Sequence, residues 1–224
     1  MNALDAVGFS PRWQALFADH GSEMEPGRVV RHDGVALQVR TATGDRSVAL
    51  RRGVPPAAVG DWLAISGEQV VAVLDRTSVL RRRAASGDGE QLLAANVELV
   101  LLVMGLDRPV KAGRIRRGEA LALDAGARPL LVLTKADLVD DVDPIRDRVA
   151  ADHPWLDVVV TSSTTGVGLD DLRARMVHVT SVLGGESGAG KSHLVNALSE
   201  RDVAGVGRVR DGDSKGRHPR RCRR

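Results

Sequence analysis

Late in the sequence, Gly185-Glu186-Ser187-Gly188-Ala189-Gly190-Lys191-Ser192 follows an apolar run at 177–183 and precedes His193-Leu194-Val195-Asn196-Ala197-Leu198. The pattern G-x-x-x-x-G-K-[ST] needs a strand before it and a helix after it, and both are written into its flanks. Glycines let successive backbone N–H groups turn inward, and the positive end of the following helix favours a bound anion. Residues Gly185 to His193 are therefore expected to form a phosphate-binding loop. Lys191 reaches the β- and γ-phosphates, and Ser192 supplies a ligand to Mg²⁺. A chain with this feature must build an α/β layer around it.

The preceding hundred or so residues supply that layer. Solid apolar runs at 97–104, 129–133 and 158–160 read as parallel strands covered on both faces. They alternate with helical stretches at about 112–125, 143–151 (opened by Asp143-Pro144) and 169–176. This is the pattern of a doubly wound domain. Upstream the period changes. Short alternating runs at 28–30, 35–39, 47–50, 61–65 and 70–74 are broken by Asp33-Gly34, Thr43-Gly44-Asp45, Pro55-Pro56 and Ser66-Gly67, which predicts a small five-stranded barrel. Ser10-Pro11 before Trp13, Leu16 and Phe17 predicts a capped helix at the start. The expected division is a helical segment at 1–24, the barrel at 25–83, a linker at 84–95 and the α/β domain at 96–224.

Composition narrows the function. With three Trp, two Phe and no Tyr, the chain has too few aromatic platforms to stack on exposed bases. Net charge is only +3, but Arg81-Arg82-Arg83 and the closing Arg220-Arg221-Cys222-Arg223-Arg224 are clusters suited either to a polyanion or to a solvated face. The single cysteine, Cys222, excludes an internal disulfide and a Cys-rich zinc site within this chain. The start, Met1-Asn2-Ala3-Leu4-Asp5, has no secretory pattern, and no apolar run can span a bilayer. A cytoplasmic protein with no membrane association is expected.

Two further loops fall at strand ends. Thr134-Lys135-Ala136-Asp137 is similar to the N-K-x-D motif that reads guanine. The Asp accepts hydrogen bonds from N1–H and the 2-amino group, and the Lys stem packs over the base. Thr replaces the usual Asn, and taken alone the segment is also compatible with a polar turn. Thr161-Ser162-Ser163-Thr164-Thr165-Gly166-Val167-Gly168 is similar to the S-A-x-T-G-x-G loop whose amide touches guanine O6, or is a capped Gly-rich turn. Candidate guanine contacts are thus Thr134, Lys135, Ala136, Asp137, Ser162 and Ser163. Three such loops at strand C-termini converge where an open α/β sheet binds ligands.

Both base-reading loops precede the phosphate loop, which inverts the usual order and marks a circular permutation. In this the chain resembles the ribosome-small-subunit-dependent GTPase A (RsgA) family. Val59-Gly60-Asp61-Trp62, Ala94-Ala95-Asn96-Val97-Glu98, Leu106-Asp107-Arg108-Pro109, Gly126-Ala127-Arg128-Pro129 and Gly212-Asp213-Ser214-Lys215-Gly216-Arg217-His218 extend the resemblance from Ser10 to His218. It implies an oligonucleotide-binding (OB) type barrel before a permuted P-loop GTPase domain. It also implies GTP and GDP as ligands with Mg²⁺, and GTP hydrolysis coupled to binding and release of the small ribosomal subunit and its rRNA. A monomer is the family expectation. A different permuted GTPase family is disfavoured by the N-terminal barrel.

After His218 the family pattern continues with a threonine run, a strand ending in D-T-P-G and a Cys/His zinc module. Here Pro219-Arg220-Arg221-Cys222-Arg223-Arg224 follows instead, as expected of a frameshift, a mis-called end or a divergent tail. On that reading the GTPase domain is incomplete, the family zinc site is absent, and the phosphate-loop strand becomes an exposed sheet edge. Hydrolysis is then impaired, because phosphoryl transfer depends on positioned groups. The competing reading is a non-hydrolysing rRNA-binding fragment that acts through the barrel.

Overall fold

The structure, a computed structural model, describes residues 3–32, 36–83 and 89–199. The expected turn at Asp33-Gly34, the segment Gly212 to His218 and the closing arginines lie outside the described residues.

Five strands, β1 (Glu25–His32), β2 (Leu37–Thr41), β3 (Gly44–Leu50), β4 (Trp62–Ser66) and β5 (Gln69–Val73), close a barrel in the order β1-β2-β3-β5-β4. The β3–β5 contact is parallel and the others are antiparallel. This is the OB-type barrel the resemblance implied. Val29, Leu37, Val39, Leu63, Ile65 and Val70 fill its interior with aliphatic side chains, consistent with the shortage of aromatics. Helix α1 (Pro11–Ala18) packs Trp13 against Trp62, with ring centroids 5.9 Å apart. Ser10 precedes this helix, but its side chain makes no cap hydrogen bond. Its carbonyl instead accepts from Gln14 N at 3.1 Å.

The stretch expected as a linker, 84–95, needs correcting. Its second half is strand β7 (Glu90–Ala95), paired antiparallel with β6 (Val79–Arg83). Leu80 and Ala94 of these paired strands are buried in the core of the α/β layer, so residues 90–95 are a structural element.

The α/β layer is a parallel sheet of β8 (Leu99–Gly105), β9 (Arg128–Thr134), β10 (Asp157–Val160) and β11 (Ser181–Gly185), in the order β10-β9-β8-β11. Strand β8 alternates between two cores. Val100 and Leu102 join Ile115 of α2 (Ala112–Asp124) and Val149 of α3 (Asp143–Asp152) on one face. Leu99, Leu101 and Val103 join Leu172 of α4 (Leu169–Met176) and Leu194 of α5 (Lys191–Ser199) on the other. Burial on both faces is why the run reads as continuously apolar, each large side chain contributing about 1.5–3 kcal/mol.

The expected strand at 177–183 shifts to Ser181–Gly185. His178 adopts φ +59° and Val177 is exposed, so the first half of that run is a loop. Just before its first residue the strand is anchored at two points: Glu98 N donates to Thr180 O (2.9 Å), and Thr180 N donates to the Glu98 carboxylate (2.8 Å). Among the described residues β11 pairs only with β8 and forms the sheet edge.

The barrel joins the α/β layer through the two motifs that flank the junction. Gly60 has φ +95°, and a Cβ there would lie 2.2 Å from the Ala95 carbonyl, so no other residue fits without displacing backbone. The Asp61 carboxylate is fully buried, accepting from Ala58 N and twice from Arg76, each at 2.7 Å. Asn96, itself at φ +56°, donates from its side chain to Gly60 O and accepts from Thr77 N. Arg28 of β1 lies over Trp62 and donates to Thr180 Oγ1 at 2.8 Å. Burial lowers its pKa from the ordinary arginine value, partly offset by Glu98.

Candidate nucleotide site

Parallel register brings the strand ends to one edge. Gly105 of β8 lies opposite Thr134 of β9, Val103 opposite Gly185 of β11, and Leu133 opposite Val160 of β10. The loops that leave these ends are the ones singled out in the sequence.

The loop from Gly185 to Gly190 connects β11 to α5. Gly185 (φ +155°), Gly188 (φ +77°) and Gly190 (φ +87°) take conformations that side chains rarely adopt, and a Cβ at Gly185 would lie 2.3 Å from Val103 O. Lys191 Nζ folds over the loop and donates to the carbonyls of Gly185 (2.8 Å) and Glu186 (2.6 Å). Desolvation by burial lowers its pKa from the ordinary lysine value, because partial removal from water disfavours the charged ammonium. Ser192 is half-buried in the first turn of α5, while Ser187 and His193 are exposed. Glu186 forms an ion pair with Arg114 of α2.

The base-side loops are knitted to this one. Thr134 Oγ1 donates to Ala189 O at 2.6 Å, joining the end of β9 to the phosphate loop. Lys135 adopts φ +63°, which places its stem 3.9 Å from where a Cβ on Gly190 would be. Ala136 N donates to Thr161 O at 3.1 Å. Asp137 is exposed in the short 3₁₀ turn Ala136–Leu138 and accepts a hydrogen bond from Ser162 Oγ. The same Ser162 oxygen accepts from Thr164 N (3.2 Å) and Thr165 N (3.1 Å), fixing the turn in which Ser163 is half-buried. Gly168 closes that turn at φ +69°, where a Cβ would meet Val160 O at 1.9 Å. All candidate residues therefore lie on one rim, with phosphate-loop amides at one end and the Asp137 carboxylate at the other.

Sequence reasoning assigned no role to two residues that belong to this rim. Asp107 Oδ2 accepts from Lys135 Nζ at 2.8 Å and from Arg108 Nη2 at 3.2 Å. These bonds, that from Lys135 above all, hold the Asp107 carboxyl below its usual range. Both residues follow β8, so their position at a strand C-terminus was the available signal.

Three or more His, Cys, Asp or Glu side chains grouped to hold a metal ion do not occur among the described residues. The donor set instead suits a divalent cation carried by phosphate oxygens plus one hydroxyl, the habit of Mg²⁺. Among the described residues no helix is long and apolar enough to cross a membrane.

Comparison with known proteins agrees with this geometry. The chain is 40% identical over 225 residues to the small ribosomal subunit biogenesis GTPase RsgA of Streptomyces avermitilis, covering 94% of this chain and 61% of the relative. It is 35% identical over 224 residues to RsgA 2 of Vibrio parahaemolyticus, covering 97% and 62%. The chain thus spans about three-fifths of the length of the curated relatives it matches. The fold is similar to that of YjeQ from Thermotoga maritima, with a TM-score of 0.61 at 24% identity over 78% of this chain and 65% of that one. YloQ, a circularly permuted GTPase, matches with a TM-score of 0.60 at 25% identity, covering 81% of this chain and 66% of its own. The RsgA GTPase family model matches residues 73–224. With barrel, permuted loop order and family model in agreement, the chain belongs to the RsgA GTPase family.

Proposed function

We propose that this chain binds GTP and GDP with Mg²⁺ and serves as a GTPase in the biogenesis of the small ribosomal subunit. The observation that carries the reading is the bond from Thr134 to the Ala189 carbonyl, which fixes the base-reading loop at hydrogen-bond distance from the phosphate loop. In this assignment Asp137 accepts from guanine N1–H and the 2-amino group, and Lys135 covers the base. The turn at Ser162 and Ser163 presents an amide to guanine O6. Amides of residues 186 to 193 surround the phosphates, and Lys191 exchanges its two loop carbonyls for β- and γ-phosphate oxygens.

Ser192 supplies the protein hydroxyl to Mg²⁺. The chemistry such a cation would supply there is neutralisation of phosphate charge, with the Ser192 hydroxyl as its protein ligand. The exposed Asp137 and the carbonyl-held Lys191 are both poised to exchange internal contacts for ligand contacts at little cost in packing.

A role at the ribosome rests on the names of the relatives and on the OB-type barrel, an architecture suited to polynucleotides. A cytoplasmic monomer with no membrane partner fits that setting. Hydrolysis and subunit release belong to the proposal for the whole protein.

The test is binding of a fluorescent GTP analogue to the full chain and to Lys191→Ala. Affinity is expected to collapse in the variant, and unlabelled ATP is expected to compete far less well than GTP. Unchanged binding by Lys191→Ala would sink the phosphate-loop assignment. Equal competition by ATP would sink the guanine assignment.

A further inference from the structure

We infer that Arg108 is a second cation of the nucleotide site, held by Asp107 against the phosphate loop to meet the polyphosphate of the bound nucleoside. The inference rests on the nucleotide-binding reading above and names a residue it does not use.

Three observations place the arginine. A Cβ built on Gly188, in the middle of the phosphate loop, would lie 3.3 Å from Arg108 Nη2, so the guanidinium already lies against that loop. Arg108 keeps 45% of its side chain exposed, leaving guanidinium donors free to face solvent or a ligand. Its carboxylate partner among the described residues, Asp107, is shared with Lys135. A Cβ on Gly105 would strike Asp107 Oδ1 at 2.4 Å, so the glycine that ends β8 is what lets this carboxylate turn inward.

The arrangement forms a short chain of alternating charge: Lys135, Asp107, Arg108 and then the loop at Gly188. Asp107 neutralises one of two cations held within a few ångströms of each other, leaving one net positive charge beside the phosphates. A guanidinium suits this post because it stays charged and presents a planar fork of donors to phosphate oxygens. Asp107 acts as a positioning residue: it touches no ligand and orients both the base-side lysine and the phosphate-side arginine. Gly188 is favoured by its φ of +77°, and a side chain there would press on the guanidinium.

The experiment is competition binding on the full chain with GTP, GDP and guanosine, for wild type, Arg108→Ala, Arg108→Lys, Asp107→Asn, the Arg108→Ala/Asp107→Asn double variant, and Lys191→Ala as reference. Loss of one charge-assisted hydrogen bond is worth on the order of tenfold or more. Arg108→Ala is therefore expected to weaken GTP and GDP about tenfold or more and to leave guanosine unchanged. Arg108→Lys is expected to recover part of the loss. If Asp107 acts by orienting Arg108, its substitution adds less in the Arg108→Ala background than in wild type. Wild-type affinities in Arg108→Ala, with binding abolished in Lys191→Ala, overturn the inference and leave the GTP reading standing. An equal loss for all three ligands together with a lower Tm assigns Arg108 a purely structural role and also overturns it. Unchanged GTP binding by Lys191→Ala removes both.

Discussion

Replacing Thr134 by Val tests whether the departure from the usual asparagine is a defect or a working substitute. The hydroxyl is 2.6 Å from Ala189 O and 3.3 Å from Met104 O in a residue only 2% exposed. Valine has nearly the same shape but puts a methyl where that short contact stands, closer to a carbonyl oxygen than carbon can sit. The swap thus removes a net hydrogen bond of about 0.5–1.5 kcal/mol and adds a local displacement, about 1–2 kcal/mol in all. The displaced atoms are those of the phosphate loop, which must return to its geometry to wrap an anion. The cost is therefore expected in nucleotide affinity, as a roughly five- to thirtyfold loss. Titration of a fluorescent GTP analogue measures it, with Thr134→Ser as the control that keeps the hydroxyl and is expected to keep the affinity. GTP affinity within about twofold of wild type in Thr134→Val would refute the idea that this bond organises the loop.

Asp137→Asn replaces an acceptor by a donor at the base edge; competition titration is expected to show preference moving from guanine to xanthine nucleotides, whose 2-oxo group needs a donor. Gly60→Ala forces a methyl to 2.2 Å from a backbone carbonyl at φ +95°, at a cost of about 3 kcal/mol or more and a fall in Tm of roughly 6–12 °C by calorimetry. Asp61→Asn leaves Arg76, whose side chain is only 20% exposed, without its counter-ion. Because Arg76 keeps some solvent, the loss is about 2–3 kcal/mol, below that of a fully buried pair, and GTP affinity measured well below Tm is expected to stay unchanged. The lowered pKa of Asp107 makes its stabilising pairs fully present above the unfolded carboxyl pKa of about 4 and lost as pH falls through the lower folded value. A stability profile in which Asp107→Asn differs from wild type at pH 6 and converges with it in acid is the expected result.

Most of the fold was legible because its strongest signals are local. The alternating runs between glycine and proline turns gave the barrel, and aliphatic runs between helical stretches gave the parallel sheet. What failed was decided by contacts distant in sequence. Residues 177–183 read as one apolar run, yet His178 takes φ +59° and the strand begins only at Ser181, next to where Thr180 N donates to Glu98, some eighty positions upstream. Strand β7 was hidden because Glu90, Ala94 and Ala95 have weak strand preference and follow a Gly/Asp-containing stretch; its identity comes from pairing with β6. Asp107 and Arg108 were quoted as part of a family motif with no role, since nothing in a Leu-Asp-Arg-Pro string reveals a lysine twenty-eight residues later on the same carboxylate.

Chain order and site geometry separate cleanly in this fold. The loops proposed to read the base come first in sequence and the one proposed to hold the phosphates last, yet every loop leaves a strand of the same parallel sheet at the same edge. Convergence is set by hydrogen-bond register: a one-residue slip of β11 against β8 would carry Gly185 away from Val103 and reverse which face each side chain covers. Register in turn is held by burial on both faces, with Leu101 and Val103 against α4 and α5 and Val100 and Leu102 against α2. A permuted order therefore assembles the same rim as an unpermuted one as long as β8 and β9 stay central. The side chains that hold those two strands in place shape the proposed site without lining it.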